Sequence, residues 1–221
     1  MFGHVRCVLF DLDGTLIDSA ADLGLAADTM RVARGLPSLP VEAYRASAGS
    51  GARGMLAVAL GVTPEDAEFA RLREEFFDHY ERRMTHLTRP FDEVGELLNG
   101  LKQRGLHWGV VTNKSRRFAL PLTASMPCFD GVSTIVCGDS TPHTKPHPAP
   151  LLEAMRQAGV PAAQCLYVGD DERDMQAGRA AGMATVAACY GYLGVAADVR
   201  QWPADAWIHR PLELLNFLQT A

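Results

Sequence analysis

Side chains able to move protons, hold a cation or hold a phosphate stand in four short clusters along the chain. They are Asp11 and Asp13, then Thr112, Asn113 and Lys114, then Lys145, then Asp170, Asp171 and Asp174. Carboxylates alone in one pocket repel, and some stay protonated. A hard divalent cation removes that conflict, and Mg²⁺ takes a few carboxylates together with water and phosphate oxygens. Asp11, Asp170 and Asp174 are the carboxylates expected to supply it. With a metal and a lysine neutralising the repulsion, a carboxylate can attack the phosphorus of a monoester and form an aspartyl-phosphate. The leaving alkoxide needs a proton. A second carboxyl two residues on can give it, and can later take a proton from the water that hydrolyses the intermediate. As strand residues i and i+2, Asp11 and Asp13 would share a face. Thr112, Asn113 and the backbone N–H groups after Asp11 would hold the equatorial oxygens. Only three lysines occur, Lys102, Lys114 and Lys145, and two of them fall in these clusters. A compact ammonium suits a phosphoryl group or a carboxylate cluster.

These residues need elements to bring them together. Short apolar runs at 5–10, 107–111, 134–137, 165–168, 184–189 and 206–208 have the length and Val/Ile/Cys content of strands buried on both faces. Between most of them lie stretches of helical spacing. Residues 93–104 place Val94, Leu97, Leu98 and Leu101 on one side. Residues 148–158 carry Leu151, Leu152 and Met155, and residues 172–181 end at Gly182. Strand and helix alternating in this way predict an α/β fold, a doubly wound parallel sheet. Such sheets do their chemistry beyond the carboxyl ends of their strands. The clusters fall there: Asp11 to Gly14 after the first run, Thr112 after the second, Asp170 after the fourth. The third run ends in Gly138-Asp139, with Lys145-Pro146 shortly after. Taken singly, Asp and Gly are ordinary in βα turns. Their joint occurrence at successive strand ends points to a site.

The segment at 17–88 interrupts the alternation and reads as helical. Asp18 and Ser19 are expected to cap a helix running through Leu23, Ala27 and Met30. A second helix is expected to begin at Thr63 and Pro64, with Glu65, Asp66 and Glu68 in its first turns. Phe69, Leu72, Phe76, Tyr80 and Met84 would form its buried side. The expected organisation is a catalytic core of residues 1–16 and 89–221 and an inserted helical cap of residues 17–88.

The motifs resemble those of the haloacid dehalogenase superfamily of phosphatases. Asp11-Leu12-Asp13-Gly14-Thr15-Leu16 is similar to the first motif, Val111-Thr112-Asn113 to the second, Lys145-Pro146 to the third and Gly169-Asp170-Asp171-Glu172-Arg173-Asp174 to the fourth. The resemblance implies Asp11 as nucleophile and Asp13 as general acid/base. It implies Thr112 and Lys145 on the phosphate, with Asn113 and Lys114 beside them. It implies Mg²⁺ held by Asp11, the carbonyl of Asp13 and Asp170, with Asp174 behind these or bound through water. Asp171 could share that task. Within the superfamily, Thr112-Asn113-Lys114, residues 178–182 and Tyr190-Gly191-Tyr192 resemble phosphoglycolate phosphatases. The loop at 49–55 and Trp108-Gly109-Val110 also resemble N-acetylmuramic acid 6-phosphate phosphatases. Phe91-Asp92-Glu93-Val94 stands where many relatives have a Pro-Gly-Val turn. Asp13 argues against a dehalogenase, and the lack of any lysine in 17–88 against the Schiff-base phosphonate enzymes. A hexose-phosphate mutase shares both aspartates and stays open. A phospho-receiver module is the rival of another class, though receivers are shorter and have no inserted cap.

The chain has 221 residues, a net charge of −5, 48% hydrophobic and 21% charged residues, an ordinary globular balance. Without a basic block, no nucleic-acid partner is expected. No apolar run approaches the roughly 18 residues of a membrane helix, and the first residues lack a signal-peptide pattern. The expected setting is cytoplasmic and the expected partner a small phosphate ester. Five cysteines without a C-x-x-C pair predict neither a zinc site nor a disulfide framework. Arg53, in the glycine-flanked stretch 49–54, is the candidate for holding a substrate carboxylate bidentately.

Overall fold

In the computed structural model, which describes residues 2–194 and 197–218, strand β1 (Cys7–Phe10) leads to a short strand β2 (Ile17–Asp18). Four helices follow: α1 (Ala20–Ala33), α2 (Glu42–Arg45), α3 (Gly51–Leu60) and α4 (Phe69–Glu81). After a second short strand, β3 (Arg89–Pro90), helix and strand alternate: α5 (Val94–Gln103), β4 (His107–Val111), α6 (Arg116–Ala124), β5 (Thr134–Val136), α7 (Ala149–Ala158), β6 (Cys165–Gly169), α8 (Glu172–Ala180), β7 (Ala184–Ala188) and β8 (Ala206–Ile208).

The main sheet has six strands in the order β5-β4-β1-β6-β7-β8, all parallel. Helices cover both faces, so every residue of β1 is fully buried. The strand order reverses at β1, which makes the gap beyond its carboxyl end the switch point where such sheets bind ligands. Register sets the site: Phe10 pairs with Val110 of β4 and with Val168 of β6. The turns that follow these three strands therefore start at one level.

β2 and β3 form a two-stranded antiparallel ribbon, Ile17 opposite Pro90 and Asp18 opposite Arg89. The helical insert thus leaves and re-enters the core side by side. Asp22, fully buried in α1, fastens the return. Its Oδ2 accepts the N–H groups of Leu87 and Thr88, each at 2.8 Å, and the Thr88 hydroxyl at 2.9 Å. The insert also shares the apolar core of the sheet. Phe77 and Tyr80 of α4 meet Phe118 of α6 with ring centroids 5.1 and 5.3 Å apart. Arg117 pairs with Glu81 at 2.6 Å and Asp78 at 3.1 Å at the rim of the same contact.

Some local expectations shift. The Ser19 hydroxyl makes no cap bond at α1 because it donates to Asp13 instead. The second helix begins at Phe69, not at Thr63. Asp66 Oδ2 accepts both the N–H and the hydroxyl of Thr63, which closes a turn in place of a helical start. Met84 is buried but lies beyond α4. Asp11 and Asp13 lie past the end of β1, so a tight turn, with Leu16 and Ile17 N–H on the Leu12 carbonyl, brings them together rather than the pleat. Where relatives carry a Pro-Gly-Val turn, Glu93 takes the left-handed backbone at φ 69°. That conformation costs a non-glycine residue about 1 kcal/mol. The Glu93 side chain offsets it by accepting Arg210 at 3.0 Å.

Candidate active site

Lys145 is the hub. The residue is 4% exposed, and its ammonium lies 2.8 Å from Asp11 Oδ1 and 2.8 Å from Asp174 Oδ1. It also donates to the Val111 carbonyl at 3.1 Å and the Tyr167 hydroxyl at 2.9 Å. Burial alone would lower its pKa, but Asp11 and Asp174 outweigh burial and lift it above the ordinary lysine value. Tyr167 in turn donates from its hydroxyl to the Val111 carbonyl or to Asp174, at 2.9 and 3.2 Å. A phenol in a fully buried strand makes sense only beside such partners. Its place in the apolar run 165–168 was the available sequence signal, a polar tip among aliphatics.

Asp11, Asp170 and Asp174 each offer a carboxylate oxygen within 4.8 Å of the others. Asp170 is held by the Thr15 hydroxyl at 3.0 Å and the Tyr192 N–H at 2.8 Å. Glycines let its neighbours come this close. A Cβ on Gly14, at φ +86°, would sit 2.1 Å from Asp170 Oδ2, and one on Gly191 would sit 2.3 Å from the Asp170 Cβ. Desolvation pushes the Asp11 carboxyl up to about 7, against the pull of Lys145 and with Asp174 adding to it. Desolvation, then Asp11 and Asp174, raise Asp170 well above the usual range. Three carboxylates converging within a few ångströms make a crowded, all-oxygen donor set that fits a hard divalent cation. The chain therefore has a buried acidic triad able to hold a metal.

Other expected site residues fall into place differently. Thr112 is 3% exposed and faces the same cavity. The Asn113 amide is taken up by the Lys145 backbone, not offered to phosphate. Lys114 lines the same cavity and donates to Asp13 Oδ1 and Oδ2 at 3.0 and 3.1 Å. Asp171 is not in the triad. It caps α8 and pairs with Arg173 at 2.6 Å. Burial would raise its pKa, but Arg173 outweighs that and holds it below the usual range. Arg53 is exposed in the first turn of α3 and does not line the cavity. From the core side Arg173 reaches the insert instead, donating to the Gly49 carbonyl at 2.8 Å.

The cavity over these groups holds about 300 Å³. Carboxylates and lysines form its floor. Phe76, Phe77 and Phe118 form an apolar wall, and Gly49 to Ala52 a backbone edge. A sequence profile described as haloacid dehalogenase-like hydrolase matches residues 8–188, which takes in all four clusters. The chain belongs to the haloacid dehalogenase-like hydrolase family. It is 40% identical over 218 residues to an N-acetylmuramic acid 6-phosphate phosphatase of Pseudomonas aeruginosa, covering 99% of this chain and 96% of that one. It is 42% identical over 209 residues to a phosphoglycolate phosphatase of Xanthomonas campestris pv. campestris, covering 95% and 94%. Among solved structures, a predicted phosphoglycolate phosphatase from Haemophilus somnus 129pt superposes with a TM-score of 0.85 at 28% identity, covering 97% and 98%. This haloacid dehalogenase-like hydrolase is an enzyme, a phosphatase of its family. Ser19, Tyr167, Arg173 and Tyr192 are the site residues that motif reading missed. Tyr167, Arg173 and Tyr192 act through contacts between segments distant in sequence, and Ser19 through a turn that folds back on Asp13.

Proposed function

We propose that the chain hydrolyses phosphate monoesters through an aspartyl-phosphate on Asp11, with Mg²⁺ as cofactor. The observation that supports this above all is the meeting of Asp11, Asp170 and Asp174 with Lys145 at one strand-end crevice. Mg²⁺, held by Asp11 and Asp170 with Asp174 behind them, would neutralise charge on the phosphoryl oxygens. Lys145 holds Asp11 and supplies positive charge beside the phosphoryl group, and Thr112 offers a hydroxyl to one of its oxygens. An Asp11 oxygen forms the new bond to phosphorus as the ester P–O bond breaks. Asp13, facing the same cavity, protonates the leaving alkoxide. As carboxylate it then takes a proton from water, whose oxygen attacks the acyl-phosphate and frees Asp11 and inorganic phosphate. The insert acts as the cap that covers this chemistry and bounds the leaving group, with the ribbon of β2 and β3 as the boundary near residues 17 and 89.

The relatives' names offer two substrates. The apolar wall of Phe76, Phe77 and Phe118 favours N-acetylmuramic acid 6-phosphate, whose sugar ring has a face to set against it. Phosphoglycolate has two carbons and no such face; both esters carry a carboxylate, so the position of Arg53 outside the cavity does not choose between them. Five free cysteines suit a reducing, cytoplasmic setting, and a net charge of −5 argues against nucleic acid. Among the described residues, no helix is long and apolar enough to cross a membrane. The test is a phosphate-release panel with both esters, hexose phosphates and p-nitrophenyl phosphate, before and after chelation. Release that chelator stops and Mg²⁺ restores is expected, fastest on the sugar acid ester. Repeated turnover excludes a receiver module. Transfer of phosphate back to a sugar in place of release would instead favour the mutase.

A further inference from the structure

Asp13 is held from both parts of the fold. Its Oδ1 accepts the Ser19 hydroxyl, and both of its oxygens accept Lys114 Nζ. The Lys114 ammonium in turn lies 4.8 Å from the centroid of the Tyr80 ring. Lys114 follows β4 in the core, whereas Tyr80 belongs to α4 of the insert. The ring is fixed. Tyr80 is 1% exposed, parallel to Phe76 at 6.1 Å and edge-on to Phe118 at 5.3 Å. Lys114 is nearly enclosed, its side chain 8% exposed. A cation over an aromatic face gains most when water is excluded from the pair. The phenol oxygen lies near the ammonium but makes no hydrogen bond of good geometry, so the ring face is the contact the geometry gives.

The geometry points to Tyr80 and Lys114 as positioning residues for proton transfer: the insert's ring fixes the ammonium, and the ammonium fixes the Asp13 carboxyl. Acid–base competence then depends on the insert being seated on the core. This role rests on the phosphatase reading, in which the Asp13 proton passes to the ester oxygen as the P–O bond breaks. An alkoxide cannot leave without that proton, whereas p-nitrophenolate can. Misaiming Asp13 therefore slows an alkyl ester more than an aryl ester. Loss of fold or of cavity shape slows both.

The test is the single-turnover rate of leaving-group release, which isolates the step in which Asp13 gives its proton. The two esters are p-nitrophenyl phosphate and whichever of N-acetylmuramic acid 6-phosphate and phosphoglycolate the wild type turns over faster. We expect Tyr80→Leu and Lys114→Met each to slow the alkyl ester about tenfold more than the aryl ester. Tyr80→Phe, which keeps the ring, should return the ratio of the two rates to near the wild-type value. The double variant should show no larger ratio change than Lys114→Met alone. Equal slowing of both esters overturns the positioning role, and so does a Tyr80→Phe variant as selective as Tyr80→Leu. Should Tyr80→Leu fail to fold, Lys114→Met and Tyr80→Phe carry the same comparison. A wild type that releases phosphate from neither ester overturns the phosphatase reading itself.

Discussion

The Asn113 side chain grips the Lys145 backbone at two points: its Nδ2 donates to the Lys145 carbonyl at 3.0 Å, and its Oδ1 accepts the Lys145 N–H at 2.9 Å. These bonds tie the end of β4 to a loop 32 residues further on. They place the lysine that neutralises Asp11 and Asp174. Asn113→Ala should lower kcat about a hundredfold, as misplacement of a catalytic group does. It should cost about 1–3 kcal/mol of stability from the orphaned backbone groups. Steady-state kinetics and urea unfolding check both. Activity near that of the wild type would show that Lys145 finds its place without the amide.

Asp11→Asn removes the oxygen proposed to attack phosphorus and one of three crowded charges. Turnover should fall by more than about a thousandfold. The chelator-treated variant should melt no lower than the chelator-treated wild type, because repulsion on Asp170 and Asp174 is relieved. A phosphate-release assay and a thermal melt on the same preparation decide it. A variant that still turns over at the wild-type rate would remove Asp11 from the mechanism.

The same crowding sets a pH dependence. Burial holds the Asp11 carboxyl at about 7 in the folded chain, against 3.8 for the free side chain. Below 3.8 both states carry the proton. Between the two values the folded chain keeps a proton that the unfolded chain has lost, so this group's stabilisation falls as pH rises and is gone above about 7. The slope is at most about 1.4 kcal/mol per pH unit for one proton. At the proposed site Mg²⁺ would have to displace that proton, so the rise in melting temperature on adding it should grow from pH 5 to pH 8. A shift that stays constant across that range would contradict the placement of the triad.

Tyr167→Phe keeps the ring but removes the hydroxyl that contacts Lys145, Val111 and Asp174. The loss should be about 1–3 kcal/mol, the cost of leaving buried polar partners unsatisfied. The lysine also loses a partner that fixes its direction, so kcat should fall while KM for p-nitrophenyl phosphate moves little. Denaturant titration alongside kinetics separates the two effects.

The sheet was legible because burial on both faces leaves a plain mark: each of the six apolar runs overlaps a strand of the main sheet. The helical character of 17–88 was legible for a similar reason, though the turn at Thr63 was not. There the backbone makes two successive turns, with the Asp66 N–H on the Thr63 carbonyl and the Phe69 N–H on the Asp66 carbonyl, before the helix begins. The strand-end carboxylates could be read too, since parallel topology alone sends Asp11 and Asp170 to the same end of the sheet; the strand order that makes their turns adjoin came from the fold.

Only the tertiary structure decided what each side chain touches. Asn113, Lys114 and Asp171 look from sequence like phosphate or metal contacts. Once folded, they bind the Lys145 backbone, Asp13 and Arg173. Arg53 has the right chemistry for a carboxylate, but the rotation of α3 puts it in solvent. Residue types and spacing determined the chemistry within reach, because strand direction gathers the turns at one end of the sheet; the strand order decided which of them meet. Partner choice depends on distances of a few ångströms across segments up to 175 residues apart, as between Thr15 and Tyr190. Such distances are set by helix rotation and the seating of the insert, and they leave no periodic trace along the chain.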